Sequence, residues 1–375
     1  MRLTVIAGLL LAALFPSWAL AQTCGNNEIV NPVEFIWTEK SAALSGDPYF
    51  TGTMEIAEEK LFVGGADITT RVYRQKDQPG TIPGPTLVMH PGQKYVLKFH
   101  NTLPYEPRSP EHNVFKDPNV SNLHTHGLHI SGMSPGDDVT RDFAGGEGGD
   151  FVYDIPADHM GGTFWYHAHH HGSTFLQVSA GAFGLIVIDD GADIGVPEHV
   201  KDMEERHLVV AYLDPDVAGT GGDTLITGSL SPTWTVNGQV NGDLCVPPNT
   251  WQHWRLLLAD RDAKEKTVSV GAGCEVALMA RDGVWRTEAP KQLTSGSLEL
   301  TGASRADLAV RCSANSDSAV GGQIVANIVV DDNLQPDLGP HPFASEGERG
   351  NYESTWSAER PPYLRDLRFL NGEPV

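Results

Sequence analysis

Short apolar or alternating runs, separated by clusters of turn residues, dominate the chain. In Lys94–His100 the residues Tyr95, Leu97 and Phe99 alternate with Lys94, Val96, Lys98 and His100, bounded by Pro91-Gly92 and Asn101. That period of two, with aromatic and β-branched enrichment, predicts a half-buried strand. Similar runs occur at Val33–Trp37, Lys60–Val63, Thr70–Arg74, Thr86–His90, Phe151–Ile155, Gly162–His167 and Phe183–Ile188. A second set follows at His207–Leu213, Thr233–Val236, Trp251–Leu258, Glu275–Ala280, Asp307–Val310 and Gln323–Val330. Many short strands at this spacing predict β-sandwiches or barrels, not alternating helices and strands.

The break between the two sets is a Gly- and Pro-containing stretch, Gly191–Arg206, whose charged run Lys201–Arg206 predicts one short helix. From Gln335 the chain turns polar and Pro-rich, through His341-Pro342 and Pro361-Pro362, and reads as a linker or tail. At about 100–200 residues per domain, the 354 residues that follow an expected leader of 21 (375 − 21) predict two domains. The expected division is a leader over 1–21, domains over 22–195 and 205–335, and a tail over 336–375.

The leader is predicted from a basic start, Met1-Arg2, a nearly continuous apolar run Leu3–Leu14, and Ala19-Leu20-Ala21 as the cleavage site. A membrane anchor would need about 20 apolar residues, and Pro16 interrupts the run first. The expectation is an exported protein, periplasmic or secreted, without a membrane span. Cys24, Cys245, Cys274 and Cys312 then lie in an oxidising compartment, with three pairings open and at least one bridge expected in the second half.

Charge narrows the partners. With 26 Lys+Arg against 48 Asp+Glu the formal charge is −22, which argues against nucleic acid and against docking on anionic lipid. The 40% hydrophobic and 20% charged content is that of a folded globular chain.

Eight of the 15 histidines fall between His124 and His171, seven of them in Asn122-Leu123-His124-Thr125-His126-Gly127-Leu128-His129 and Phe164-Trp165-Tyr166-His167-Ala168-His169-His170-His171. Alternate strand residues share a face, so His124 pairs with His126 and His167 with His169. Two such pairs on neighbouring strands can surround a small volume with four imidazoles, which suit Cu, Zn, Fe or Ni. Gly127 removes a side chain where a metal or second strand must approach. An HxHG string also opens the metal site of amidohydrolase-type (β/α)₈ barrels, but those need regularly alternating helices that this sequence lacks. His129 is open as a ligand, His170 and His171 read as neighbours without a ligand role, and the scattered histidines, His253 among them, read as structural.

These residues resemble the multicopper oxidases, laccase-like proteins built from cupredoxin β-barrels. Ile82-Pro83-Gly84-Pro85-Thr86-Leu87 with Pro91-Gly92 is similar to that family's first-domain signature. HTHG at His124–Gly127 and HAH at His167–His169 are similar to its first two copper motifs. Val236-Asn237-Gly238, Arg255-Leu256-Leu257, Asp282-Gly283 and Arg305-Ala306-Asp307 resemble its middle domain. The resemblance implies an all-β fold of two tandem cupredoxin-like Greek-key barrels or sandwiches. It implies that His124 binds a type 2 copper, that His126 and His167 share one type 3 copper, and that His169 binds the other. It also implies that Asp137 or Asp138 is an acid delivering protons for oxygen reduction.

The family completes its cluster with HPxHxHG and HCHxxxH motifs, which also hold the type 1 copper. The 375 residues contain neither: His341-Pro342 is followed by Phe343-Ala344-Ser345 and no further histidine. A blue-copper site needs a Cys and two His, often with a Met, and Cys245 with His253 does not supply it. The expectation is therefore half a copper cluster and no type 1 copper. The function expected is laccase-like oxidation of a phenol, amine or cuprous ion coupled to reduction of dioxygen, if another chain or domain supplies the missing motifs. The alternative is an exported copper carrier without oxidase turnover.

Overall fold

The structure is a computed structural model that describes residues 24–339 except 26, 42–46, 190–197, 218–224 and 288, together with 342, 361–364, 369–370 and 373–374. The expected leader over 1–21 and most of the expected tail lie outside the described residues. Among the described residues no helix is long and apolar enough to cross a membrane.

The chain is nearly all β, as its alternating runs require. In the first domain Pro48–Val63 and Ala66–Gln75 form a long antiparallel hairpin through Gly64-Gly65, both at positive φ. Pro48–Val63 also pairs in parallel with Lys94–Asn101, which pairs with Gly148–Asp154. The facing sheet runs Gly84–Met89, Phe183–Ile188, Gly162–His167, His124–His126. Between the two lies a core that includes Phe35, Tyr73, Leu97, Phe99, Phe151 and Ile186.

The second domain repeats the plan. One sheet orders Thr233–Val236, Glu204–Leu213, Trp251–Ala259, Arg305–Cys312 and Cys274–Arg281. The other orders Gly242–Val246, Gln323–Val330, Ser316–Val320, Lys266–Val270 and Ser297–Leu300. A third apolar layer joins the domains, with Trp165, Phe183, Leu185 and Val187 against Val209, Ala211, Leu213 and Leu257. Phe183–Ile188 and Gly162–His167 are buried at every position for this reason, and the unbroken apolar character of Phe183–Ile188 follows from packing on both faces.

Several expectations change. Val33–Trp37 is not a strand: Glu34 makes a single bridge to Thr86, and the strand is Thr38–Ser41. The short helix lies at Glu198–Lys201, and Lys201–Arg206 runs instead into the strand Glu204–Leu213. That strand starts early because Glu205 is drawn in by Arg255, whose Nε donates to Glu205 Oε2 at 2.9 Å. A buried helix at Thr174–Ala180 was not foreseen; Gly181 ends it at φ 112. The first described residues stand on the second domain, not the first. Ile29 is in the second core, Ile29 N–H donates to Asp243 O at 2.8 Å, and Cys24 is bonded to Cys245. The second bridge is Cys274–Cys312, between adjacent strands.

Candidate metal centre

The histidine strands are neighbours. His124–His126 pairs antiparallel with the end of Gly162–His167, which sets His124 opposite His167 and His126 opposite Trp165. The ring centroids are 5.2 Å apart for His124 and His167, 4.9 Å for His124 and His169, and 5.6 Å for His126 and His167. Ligand atoms of His124, His126 and His167 all lie within 4.8 Å of one another. His126 Nδ1 and His167 Nε2 are 3.4 Å apart. Two imidazole nitrogens sharing a tetrahedral ion at about 2.0–2.1 Å would be about 3.3 Å apart.

The protein fixes which nitrogen His167 presents and places groups beside the other rings. His167 Nδ1 is 2.9 Å from Ala168 O, so it carries the proton and leaves Nε2 free. His124 Nδ1 is 2.8 Å from Asp137 Oδ2, and Asp137 Oδ1 accepts the Thr125 N–H at 2.8 Å. His169 N–H donates to Asn122 Oδ1 at 2.7 Å. Asn122 is fully buried; its Nδ2 donates to Val139 O and Arg141 O, which fixes the Asp137 loop and the HAH segment together.

Burial also keeps the rings in their ligating form. It pushes His167 well below the usual imidazole range. His126 is lowered to about 4, first by burial and then by the Arg305 cation. His169 is lowered by burial and then by His124. Converging imidazoles, three of them kept neutral by burial, fit a transition metal, and copper is among those that imidazole suits.

The motifs around the histidines serve them. Ile82-Pro83-Gly84-Pro85 makes room for Tyr166, beside His167. Tyr166 OH donates to Pro85 O at 2.7 Å, and a Cβ at Gly84 would lie 2.7 Å from that hydroxyl. Trp165 stacks on His167 at 4.2 Å and 28°. Gly127, at φ 98, does leave room for an approach, but what approaches is Arg305 of the second domain and Phe164.

The remaining candidates separate. Asp138 turns away from the rings, and its Oδ1 accepts from Thr140 N and Oγ1 at 3.0 and 2.6 Å. His170 is buried between Asp117 and Asp142, at 3.1 and 3.4 Å. His129 stacks on Tyr363 of the tail, at 3.9 Å and 3° between planes, and Met160 N–H donates to the Tyr363 hydroxyl at 2.7 Å. Nothing in the sequence signalled that contact. A groove of about 1000 Å³ opens beside His169 and His171, lined by Val114, Phe115, Val139 and Phe175.

Comparison with known proteins agrees with the first domain in particular. Residues 78–193 match the family model described as multicopper oxidase. The chain is 28% identical over 179 residues to a putative laccase-5 of Oryza sativa, covering 45% of this chain and 29% of that protein. It is 26% identical over 209 residues to the multicopper oxidase mco of Staphylococcus aureus, covering 50% and 43%. The chain thus spans less than half the length of these curated relatives. The crystal structure of a multicopper oxidase from Pseudomonas thermotolerans shares the fold, with TM-score 0.58, 23% identity, and coverage of 79% of this chain and 67% of that one. In its first domain, this chain is similar to the multicopper oxidases.

Proposed function

We propose that His124, His126, His167 and His169 hold copper as one half of a multicopper-oxidase cluster. The observation that carries this reading is the 3.4 Å separation of His126 Nδ1 and His167 Nε2, with the second His167 nitrogen committed to Ala168 O. His126 and His167 would share one ion, His124 would hold a second through Nε2, and His169 would hold a third. Bound copper supplies one-electron chemistry that oxidises a phenol, an amine or a cuprous ion and reduces dioxygen. Turnover of that kind needs the HPxHxHG and HCHxxxH donors, which these 375 residues do not contain. Another chain or domain would supply them and the type 1 copper.

The chain's own groups would orient and protonate. Asp137, with Oδ2 2.8 Å from His124 Nδ1, is the acid placed to pass a proton toward the site; Asp138 is not. Asn122 holds the HAH segment, and the Trp165 ring covers one face of His167. The two disulfides support an exported, oxidising setting.

Titration with Cu(II) followed by electron paramagnetic resonance tests the reading. The expected spectrum shows coupling to several imidazole nitrogens, which His167→Ala with His169→Ala removes. An unchanged spectrum in the double variant would overturn it.

A further inference from the structure

The second domain's Asp282-Gly283 and Arg305-Ala306-Asp307, far apart in sequence, converge on the histidine strands of the first domain. A Cβ at Gly283 would lie 2.4 Å from Phe164 Cε1, and one at Gly162 would lie 3.1 Å from Gly283 Cα. The domains therefore touch through two glycines at the strand that ends in His167. Arg305 passes through this contact. It is 4% exposed, and its Nη2 fills the space left by Gly127, where a Cβ would lie 2.7 Å away. Gly127 directly follows His126.

Three of the guanidinium's partners are uncharged. Nε donates to Thr163 O at 3.3 Å, Nη1 to Ala303 O at 2.9 Å and Nη2 to Asp282 O at 3.1 Å. Its near carboxylate is Asp282, with Oδ1 at 3.4 Å from Nη1 and 2.8 Å from the Arg305 backbone nitrogen. The Asp282 side chain is 45% exposed, so water screens it, whereas the Arg305 side chain is 5% exposed. The other acid of the motif, Asp307, is occupied by His253 and Arg255 at 2.9 and 3.1 Å. A guanidinium keeps its charge throughout the working pH range. The result is a fixed, incompletely neutralised cation against the turn that carries His126.

We propose that Arg305 is a positioning residue through which the second domain holds the HTHG turn and biases bound copper toward the cuprous state. The inference rests on the copper reading of the site. Its physical basis is Coulombic: a neighbouring positive charge opposes a doubly charged ion more than a singly charged one. Asp282 acts in the opposite sense by offsetting that charge.

The test measures Cu(II) and Cu(I) affinities of the full chain separately, against competing chelators, in wild type, Arg305→Met, Arg305→Lys and Asp282→Asn. Arg305→Met is expected to raise the Cu(II)-to-Cu(I) affinity ratio by about three- to tenfold. Arg305→Lys should stay near wild type, and Asp282→Asn should lower the ratio. A purely structural role would weaken both ions together and leave the ratio unmoved. An unchanged ratio in Arg305→Met, or a shift of Asp282→Asn in the same direction, overturns the proposal. If Arg305→Met does not fold, the direction of the Asp282→Asn shift decides alone. A wild-type chain that binds neither ion overturns the copper reading instead.

Discussion

Asp137 Oδ2 lies 2.8 Å from His124 Nδ1, while its other oxygen accepts the Thr125 N–H at 2.8 Å. One carboxylate thus lies against the ring and binds the backbone of the first histidine strand. Carboxylates in this relation to a metal-binding imidazole typically govern affinity by 10–100-fold. Asp137→Ala is expected to weaken copper binding by about that factor. Asp138→Ala, which loses only a turn contact to Thr140, should change it by no more than about twofold. Competition titration of both variants checks the pair, and equal losses would contradict the assignment.

A buried ionic cluster joins the domains and sets a pH dependence. Asp307 Oδ1 accepts from Thr163 Oγ1 of the first domain at 2.7 Å, His253 Nε2 at 2.9 Å and Arg255 Nη1 at 3.1 Å. Burial and the Arg255 cation oppose a charge on His253, but Asp307 and Glu205 outweigh them and its pKa is raised. Burial likewise opposes the Asp307 charge, and its partners outweigh that and lower its pKa. The His253 contribution is full below its unfolded value of about 6.5 and is lost as pH rises through the raised folded value. The Asp307 contribution is full above about 3.9 and is lost as pH falls through the lowered one. His253→Gln should therefore cost most stability below about pH 6.5 and less at alkaline pH, with a maximum of about 3–5 kcal/mol. Denaturant unfolding of the metal-free chain between acid and alkaline pH measures this. A cost that grows with pH would contradict it.

The disulfides differ in reach. Cys24–Cys245 spans 221 positions and Cys274–Cys312 spans 38. By loop-closure entropy the first stabilises by about 5 kcal/mol and the second by about 4 kcal/mol. Double alanine variants should follow that order in unfolding experiments. The longer bridge also anchors the first described residues at Asp243, so its removal should expose Ile29 to proteolysis first.

The sequence reading succeeded where packing on one or two faces leaves a clean periodic signature. Gly162–His167, Phe183–Ile188, Thr233–Val236 and Gln323–Val330 have the limits that their patterns predict. It missed Thr174–Ala180 because that helix is largely buried and lacks a side-chain N-cap bond; Gly181 alone marks it. Short, half-exposed strands such as Lys266–Val270 and Ser316–Val320 carry too few apolar residues to stand out. The HxH pairs were legible because strand spacing puts His124 and His126 on one face, while His169, past the strand end at His167, is held by Asn122. Whether Asp137 or Asp138 served the site was not, because only the loop's geometry separates adjacent acids. Arg305's role was hidden for a similar reason: Gly127 announces a close approach but not from which domain it comes.

The most direct measurement is copper per chain, by elemental analysis, on protein exported and purified with copper present, compared with His126→Ala plus His167→Ala. One or more tightly held ions per wild-type chain, lost in a variant that keeps its all-β circular dichroism, is the predicted result. No copper on the wild-type chain, or equal copper on the folded variant, would contradict the central claim.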